Sequence, residues 1–188
     1  MSVLTSFDGI IRPMFIETGT NYGESLWHAA KVFDSCRSVE FNHEIYLKAC
    51  ERFAEVGNVA IFEGHSPQVL PQIIDPEIPT TFWLDAHYFG NWDSATPYGQ
   101  CPLARELEVI ASRPWRVKPI VVIDDAHMFD DSIPHPGSKY PFWKSNESGH
   151  DMYKRSDWPK VEELDEIMKG YKRSMWIDHI MRYDDVSA

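Results

Sequence analysis

Short apolar runs alternate along the chain with segments in which apolar residues recur three or four positions apart. Continuous apolar runs are typical of strands that are buried on both faces of a parallel sheet. The spaced segments are typical of helices that pack one face against such a sheet. Strands are predicted at Pro13–Ile16, Arg37–Glu40, Asn58–Phe62, Thr80–Leu84 and Pro119–Ile123. The pattern therefore predicts an α/β fold, a three-layer sandwich with a mostly parallel sheet between two layers of helices.

Helices are predicted between and after these strands. The first spans about residues 23–33, and the last spans about residues 159–169 and ends at Gly170, which suits a helix C-terminus. Ser66 is predicted to cap a short helix that begins with Pro67, because serine and proline favour these two positions. The inward-facing apolar positions are Leu26, Ala30 and Phe33, then Ile45, Ala49 and Phe53, then Leu103, Leu107 and Ile110, and finally Val161, Leu164 and Ile167.

Two connections are longer than is usual in α/β folds, at about residues 86–102 and 128–158. Each follows the carboxyl end of a predicted strand, where open α/β sheets bind their ligands. Residues 171–186 are expected to close the sheet with a pair of strands, one of them antiparallel. No repeat, linker or low-complexity segment interrupts the chain, so residues 1–188 are expected to form a single domain.

The chain carries a formal net charge of −11, from 18 basic and 29 acidic side chains. This acidity argues against a nucleic acid or an anionic membrane as partner, because phosphate binding requires a basic surface. The first residues lack the features of a signal peptide, and no apolar run is long enough to cross a membrane. Cys36, Cys50 and Cys101 are widely spaced and odd in number, which favours free thiols. We therefore expect a cytoplasmic protein that acts on a small molecule.

A glycine-containing loop, Glu17-Thr-Gly-Thr-Asn-Tyr-Gly23, follows the first predicted strand. Gly19 suits a tight turn and Gly23 opens the next helix, so a ligand can approach the backbone closely near a helix N-terminus. The spacing differs from the Gly-x-Gly-x-x-Gly pattern of dinucleotide-binding proteins. Glu17 would repel a pyrophosphate, whereas its carboxylate suits an ammonium or sulfonium group. The loop therefore predicts a site for a cationic amino-acid ligand.

Two further motifs follow the second and third predicted strands. Glu40 ends the second strand, where one carboxylate can accept hydrogen bonds from both hydroxyls of a ribose. The alternative is an ordinary surface glutamate at the end of a strand. After the third strand, Gly64 permits a sharp turn, and Ser66 could cap its helix, contact an adenine or do both.

The order of these motifs resembles that of the class I, Rossmann-like methyltransferases, which use S-adenosyl-L-methionine. The resemblance rests on Glu-x-Gly-x-x-x-Gly, an acid that closes strand two and Gly-x-Ser after strand three, and it covers about residues 13–186. It implies that the methionine part of the cofactor lies on the glycine loop, the ribose at Glu40 and the adenine near His65. The residues that it assigns to the cofactor are Glu17, Thr18, Gly19, Asn21, Gly23, Glu40, His65, Ser66 and Asp85.

Acidic residues also end the fourth and fifth strands, at Asp85 and at the pair Asp124 and Asp125. Adjacent parallel strands end about 5 Å apart, so three carboxylates there would repel one another unless a cation or protons intervened. Each could otherwise cap the segment that follows it. The pattern resembles metal-dependent O-methyltransferases of the catechol type and of the bacterial sugar and antibiotic type. That resemblance implies a divalent ion, most suitably Mg²⁺, bound by Asp85, Asp124 and Asp125.

Two histidines, His87 and His127, lie two residues beyond these acidic positions. The catechol-type pattern has a lysine shortly after the strand-four aspartate, and here no basic residue of that kind precedes Arg105. His87 could replace it as general base, because the pKa of imidazole lies near neutrality. His127 could be a base or a further ligand, and a mixed set would also suit Mn²⁺, Fe²⁺ or Zn²⁺. The candidate catalytic residues are His87, Asp85 and His127.

Together these features predict methyl transfer from S-adenosyl-L-methionine to a hydroxyl group of a small molecule, assisted by a divalent ion. Because the first strand begins near the N-terminus, either the two long connections close the pocket or a second subunit of a homodimer does. The aromatic residues of the second connection either stack on the acceptor or form a small core of their own. These residues are Tyr140, Phe142, Trp143 and Tyr153.

Two alternatives stay open at the level of sequence. One is a metal-dependent hydrolase or oxygenase in which the glycine loop and Glu40 are structural. Its metal ligands would be Asp85, His87, Asp124 and His127. The other is a module that binds the cofactor without catalysis, although the retention of Glu17, Glu40 and the three aspartates argues against a decayed site.

Overall fold

The computed structural model describes residues 13–87, 99–133, 155–177 and 180–186. The strands are β1 (Met14–Thr18), β2 (Ser35–Glu40), β3 (Val59–Glu63), β4 (Thr80–Leu84), β5 (Ile120–Ile123), β6 (Tyr171–Ile177) and β7 (Ile180–Asp185). The helices are α1 (Glu24–Ala29), α2 (His43–Arg52), α3 (Ser66–Ile73), α4 (Leu103–Ala111) and α5 (Val161–Ile167). Tyr140, Phe142, Trp143 and Tyr153 lie outside the described residues, so their expected role stays a prediction.

The strands form one seven-stranded sheet in the order β3-β2-β1-β4-β5-β7-β6. Strands β1 to β5 are parallel to one another, and β7 runs antiparallel to both β5 and β6. The predicted mostly parallel sheet with an antiparallel closing strand is therefore confirmed. The strand order reverses between β1 and β4, and the carboxyl ends of strands at such a reversal are where open α/β sheets bind ligands.

Both faces of the sheet are covered, as the three-layer prediction requires. Side chains alternate along each strand, so Phe15 and Trp83 face one side while Ile16 and Phe82 face the other. The first face packs on α1 and on Phe53, just after α2. The second face packs on α3, α4 and α5 through their apolar stripes, and it holds the larger of the two cores.

Three details of the predicted elements are wrong. Strand β1 does not end at Ile16 but continues to Thr18, because Glu17 and Thr18 pair with β2 on one side and β4 on the other. The first helix is shorter than expected and ends at Ala29. Ser66 is not the cap of α3 but its first residue; His65 occupies the cap position, and no side chain caps this helix.

Other expectations concern the cysteines and the membrane. All three cysteines are free thiols, as predicted; Cys36 and Cys101 are buried and Cys50 is half-buried. Within the part of the chain that the structure describes, no helix combines the length and the apolar character needed to cross a membrane. Helix α5 ends at Ile167, with Met168 at its C-cap, and Gly170 adopts a φ of +96° in the turn between this helix and β6.

Candidate cofactor and acceptor site

The glycine loop, residues 17–23, connects β1 to α1 and is fixed against both neighbouring strands. The amides of Gly19 and Thr20 donate to the carbonyl oxygen of Val39, at 2.9 and 3.2 Å. Gly19 has a φ of +83°, and a Cβ at this position would clash with the carbonyl oxygen of Asp85. Gly23 has a φ of +74°, and a Cβ there would lie 2.6 Å from the ring of Phe53. Only glycine fits these two positions, as the sequence pattern suggests.

Glu17 is completely buried beneath this loop. The Ser38 hydroxyl donates to its Oε2 at 2.7 Å, and the Thr20 hydroxyl lies 2.6 Å from that of Ser38. Burial raises the pKa of Glu17 to about 8, against the effect of hydrogen bonds from Ser38 and Ser25. Its other oxygen, Oε1, has no hydrogen-bond partner among the described residues. A buried acceptor of this kind suits a cationic ligand, which would restore the charge of the carboxylate.

Glu40 is also buried and connects the end of β2 to the glycine loop. Its Oε2 accepts a hydrogen bond from the Asn21 amide, and its Oε1 accepts one from the Asn42 amide, both at 2.8 Å. Asn21 adopts a φ of +49° in this loop. An ionised carboxylate offers about four acceptor positions, so two remain after these bonds. The alternative of an ordinary surface glutamate is wrong, because only 8% of Glu40 is exposed.

The turn between β3 and α3, residues 64–66, lies beside Glu40. The Gly64 amide donates to the Glu40 carbonyl oxygen at 2.9 Å. His65 stacks on Phe41, with ring centroids 4.0 Å apart and an angle of 28° between the rings. Phe41 remains 42% exposed and was not singled out in the sequence, where its position directly after Glu40 is the only signal. Ser66, the next residue, is buried.

A second group of polar side chains lies at the ends of β4 and β5. His87 Nε2 lies 3.0 Å from Asp85 Oδ1 and 3.3 Å from Asp125 Oδ2. Burial alone would lower the pKa of His87, but hydrogen bonds and charges from Asp125 and Asp85 outweigh it and raise that pKa well above its ordinary value. His127 Nδ1 lies 3.7 Å from Asp125 Oδ1. The predicted catalytic residues thus lie close together.

The three aspartates expected to bind a metal ion are arranged in a less regular way. Asp85 and Asp125 converge on His87, whereas Asp124 Oδ1 accepts a hydrogen bond from the Asp125 amide at 2.8 Å. Asp125 has a φ of +52°, which turns the chain sharply after β5. Among the described residues, no three acidic, histidine or cysteine side chains are arranged as a ready metal site. The donor chemistry suits a hard divalent ion, and the metal site stays a prediction.

Two buried residues near this site were missed at the level of sequence. Trp158 donates from Nε1 to Gln100 Oε1 at 3.1 Å, and its ring lies 5.3 Å from that of His87. It thereby joins the ends of the two long connections. Glu106 occupies an inward position of α4, where the predicted stripe named only Leu103, Leu107 and Ile110. The hydrogen bond of Trp158 has no local sequence signal, because Gln100 lies on a distant segment of the chain.

Comparison with known proteins supports the fold. No model of a known protein family matches the chain, and no curated protein matches its sequence. The SAH-bound methyltransferase PaMTH1 of Podospora anserina matches 96% of this chain and 74% of its own, at 13% identity and a TM-score of 0.66. A proposed caffeoyl-CoA O-methyltransferase of Staphylococcus aureus matches 97% of this chain and 80% of its own, at 16% identity and a TM-score of 0.61.

A third structure points the same way. The O-methyltransferase TomG of Streptomyces achromogenes, in complex with SAM, matches 97% of this chain and 77% of its own. Its identity is 15% and its TM-score is 0.55. The matches extend over nearly the whole chain and agree with the strand order observed. The chain therefore has the fold of the class I, Rossmann-like S-adenosylmethionine-dependent methyltransferases.

Proposed function

We propose that the chain binds S-adenosyl-L-methionine and transfers its methyl group to a hydroxyl group of a small molecule. One observation carries this proposal. Glu17, Glu40 and Asp85 come from three strands and meet at the carboxyl edge of the sheet, where the strand order reverses. They surround a loop in which a side chain at Gly19 or Gly23 would clash with neighbouring atoms. Structures of similar fold bound to SAM or SAH support the same cofactor.

Each part of the proposed cofactor has a chemical counterpart in the chain. Glu17, with an unpartnered Oε1, and Asp85 offer negative charge to the ammonium and sulfonium groups. Glu40 retains acceptor positions for the two ribose hydroxyls. The exposed face of Phe41, stacked on His65, offers an aromatic surface for the adenine. Thr18 and Ser66 are both buried, so in this proposal they support the site without contacting the cofactor.

The acceptor would lie above the ends of β4 and β5. When bound, the cofactor supplies a sulfonium methyl group that an acceptor oxygen can attack in line with the carbon–sulfur bond. Asp85, Asp124 and Asp125 would hold a divalent ion, most suitably Mg²⁺, which lowers the pKa of a bound hydroxyl. His87 and His127 are the candidate bases for the acceptor proton. The O-methyltransferases among the similar structures support a hydroxyl acceptor.

Calorimetric titration with S-adenosylhomocysteine tests the cofactor. The wild-type chain should bind it with a one-to-one stoichiometry, and Glu40→Ala should weaken binding by about tenfold or more, because two charge-assisted hydrogen bonds to the ribose are lost. Glu63→Ala is a matched control, since Glu63 pairs with Glu40 in register on β3 but is exposed. Absence of binding to the wild type, or equal weakening by both variants, would contradict the proposal.

A further inference from the structure

Trp158, at the end of the second long connection, is a buried side chain whose orientation is fixed by its neighbours. Only 3% of it is exposed. Its Nε1–H donates a hydrogen bond to Oε1 of Gln100 at 3.1 Å. Its ring also packs on that of Phe129, with centroids 5.6 Å apart and an angle of 43° between the rings. A buried indole that has both an acceptor for its N–H and a packed ring has little freedom to rotate.

The backbone beside Gln100 also approaches the second connection closely. Gly99 has a φ of +70°, and a Cβ at this position would lie 3.0 Å from Oδ2 of Asp157. Glycine therefore lets this backbone lie directly against the carboxyl group of Asp157. Residues 99–100 and 157–158 thus make two neighbouring contacts, although Gln100 and Trp158 are 58 residues apart in the chain. The orientation of Trp158 depends on the ends of both long connections.

The same indole packs on the imidazole of His87, with ring centroids 5.3 Å apart and an angle of 48° between the rings. The side chain of His87 is only 10% exposed, and its Nε2 lies 3.0 Å from Asp85 Oδ1 and 3.3 Å from Asp125 Oδ2. The outer torsion of a histidine side chain has a broad preference, so rotamer energy alone does not fix the ring. A ring that fills the space beside the imidazole restricts this rotation.

We propose that Trp158 is a positioning residue for His87, whose imidazole it keeps between Asp85 and Asp125. Gln100 supports this role because it fixes the indole. The proposal rests on the proposed function, in which His87 is a candidate base for the acceptor proton. A base must lie within hydrogen-bond distance of the proton that it removes, so an imidazole that rotates away lowers the rate. Trp158 acts through His87 and contacts neither the cofactor nor the acceptor.

Four variants separate this role from ordinary packing. Trp158→Leu removes the aromatic ring, and Trp158→Phe keeps an aromatic ring without the N–H donor. Gln100→Leu removes the acceptor and leaves the indole in the chain. Trp115→Phe is the matched control. Trp115 also donates from its ring N–H, to the carbonyl oxygen of Ile110 at 2.8 Å, but its ring packs on Phe82 in the core.

NMR relaxation dispersion of the histidine rings measures the mobility of His87 on the μs–ms timescale. The chain has eight histidines, and the signal of His87 is the one that is lost in His87→Gln. Trp158→Leu should add exchange broadening to this signal, and Gln100→Leu should add less. Trp158→Phe should restore most of the order, and Trp115→Phe should leave the signal unchanged. A His87 signal without added exchange in Trp158→Leu would overturn the inference.

Gln100→Leu keeps the test decisive if Trp158→Leu does not fold. The rings of Trp158 and His87 lie close enough for a nuclear Overhauser effect between their protons in the wild type. This effect should weaken in Gln100→Leu as the indole gains freedom. An unchanged effect together with unchanged exchange at His87 in this variant would contradict the proposal.

Calorimetric titration with S-adenosylhomocysteine keeps this inference distinct from the proposed function. Trp158→Leu should bind the ligand within about twofold of the wild type, because Trp158 packs on the acceptor side of the site. If the wild type binds no S-adenosylhomocysteine, the proposed function fails, and the His87 signals still decide whether Trp158 positions this ring. A loss of stability in Trp158→Leu with no added mobility of His87 would indicate a purely structural role and contradict the inference.

Discussion

Replacing Glu17 with glutamine should make the ligand-free protein more stable at alkaline pH. Folding raises the pKa of Glu17 from 4.5 to about 8, so the folded chain holds a proton that the unfolded chain releases between these values. The stability contributed by this proton is fully present below pH 4.5 and is lost progressively as the pH rises to about 8. Glutamine keeps the shape of the side chain and an acceptor for the Ser38 hydroxyl, but it does not titrate.

The size of the effect follows from the same pKa values. One pKa unit corresponds to about 1.4 kcal/mol, so the full change from 4.5 to about 8 corresponds to about 5 kcal/mol as an upper limit. The free energy of unfolding of Glu17→Gln should therefore match that of the wild type near pH 4.5 and exceed it by several kcal/mol above pH 8. The variant should bind the cationic cofactor more weakly, because its carboxylate is gone.

Urea unfolding at several pH values between 5 and 9 measures this difference directly. The gap between Glu17→Gln and the wild type should widen steadily with pH and level off above about pH 8. Glu55→Gln is the control, since Glu55 is exposed just after α2 and should show no such trend. A gap that stays constant with pH, or a glutamine variant that is less stable at pH 9, would refute the reasoning.

Three other substitutions have defined outcomes. Gly19→Ala should destabilise the fold by more than about 1 kcal/mol in thermal unfolding, because of its positive φ and the clash with Asp85, whereas Gly57→Ala, with open space around its Cβ, should not. Trp158→Ala should lower the free energy of unfolding in urea by about 3–5 kcal/mol, and Trp158→Phe should lower it much less. Trp27→Ala, at a partly exposed site, is the control. A loss for Trp158→Ala no larger than that for Trp27→Ala would contradict the buried role of Trp158. Asp125→Ala should abolish the binding of Mn²⁺, as measured by electron paramagnetic resonance. Asp131→Ala, at an exposed position, should leave that binding intact. Equal binding by both variants would argue against the metal site.

The fold could be predicted from the sequence where the signal was local. Runs such as Thr80–Leu84 and Ile120–Ile123 are continuously apolar or β-branched, and the structure places them in the middle of the sheet. The end of β1 was harder, because Glu17 and Thr18 are polar and only their pairing with β2 and β4 keeps them in a strand. Tertiary hydrogen bonds overrode the local preference there.

In the candidate site, too, residues with a local sequence signal could be predicted and residues that depend on distant contacts could not. The sequence motif correctly picked out Gly19, Gly23 and Glu40. In the structure the two glycines occupy positions where a Cβ would clash, and Glu40 accepts a hydrogen bond from the glycine loop at Asn21. Trp158 donates a hydrogen bond to Gln100, 58 residues earlier in the chain, and such a contact leaves no pattern in a single sequence. Ser66 illustrates the reverse error: serine favours helix caps, but here it is the first residue of α3 and is buried.

A crystal structure of the chain with S-adenosylhomocysteine tests the central claim most directly. The account predicts that the ligand lies along the carboxyl edge of β1, β2 and β3, with its ribose hydroxyls on Glu40 and its amino-acid end on the glycine loop above Glu17. The adenine should lie against Phe41. A ligand bound elsewhere, or no ligand at a saturating concentration, would contradict the account.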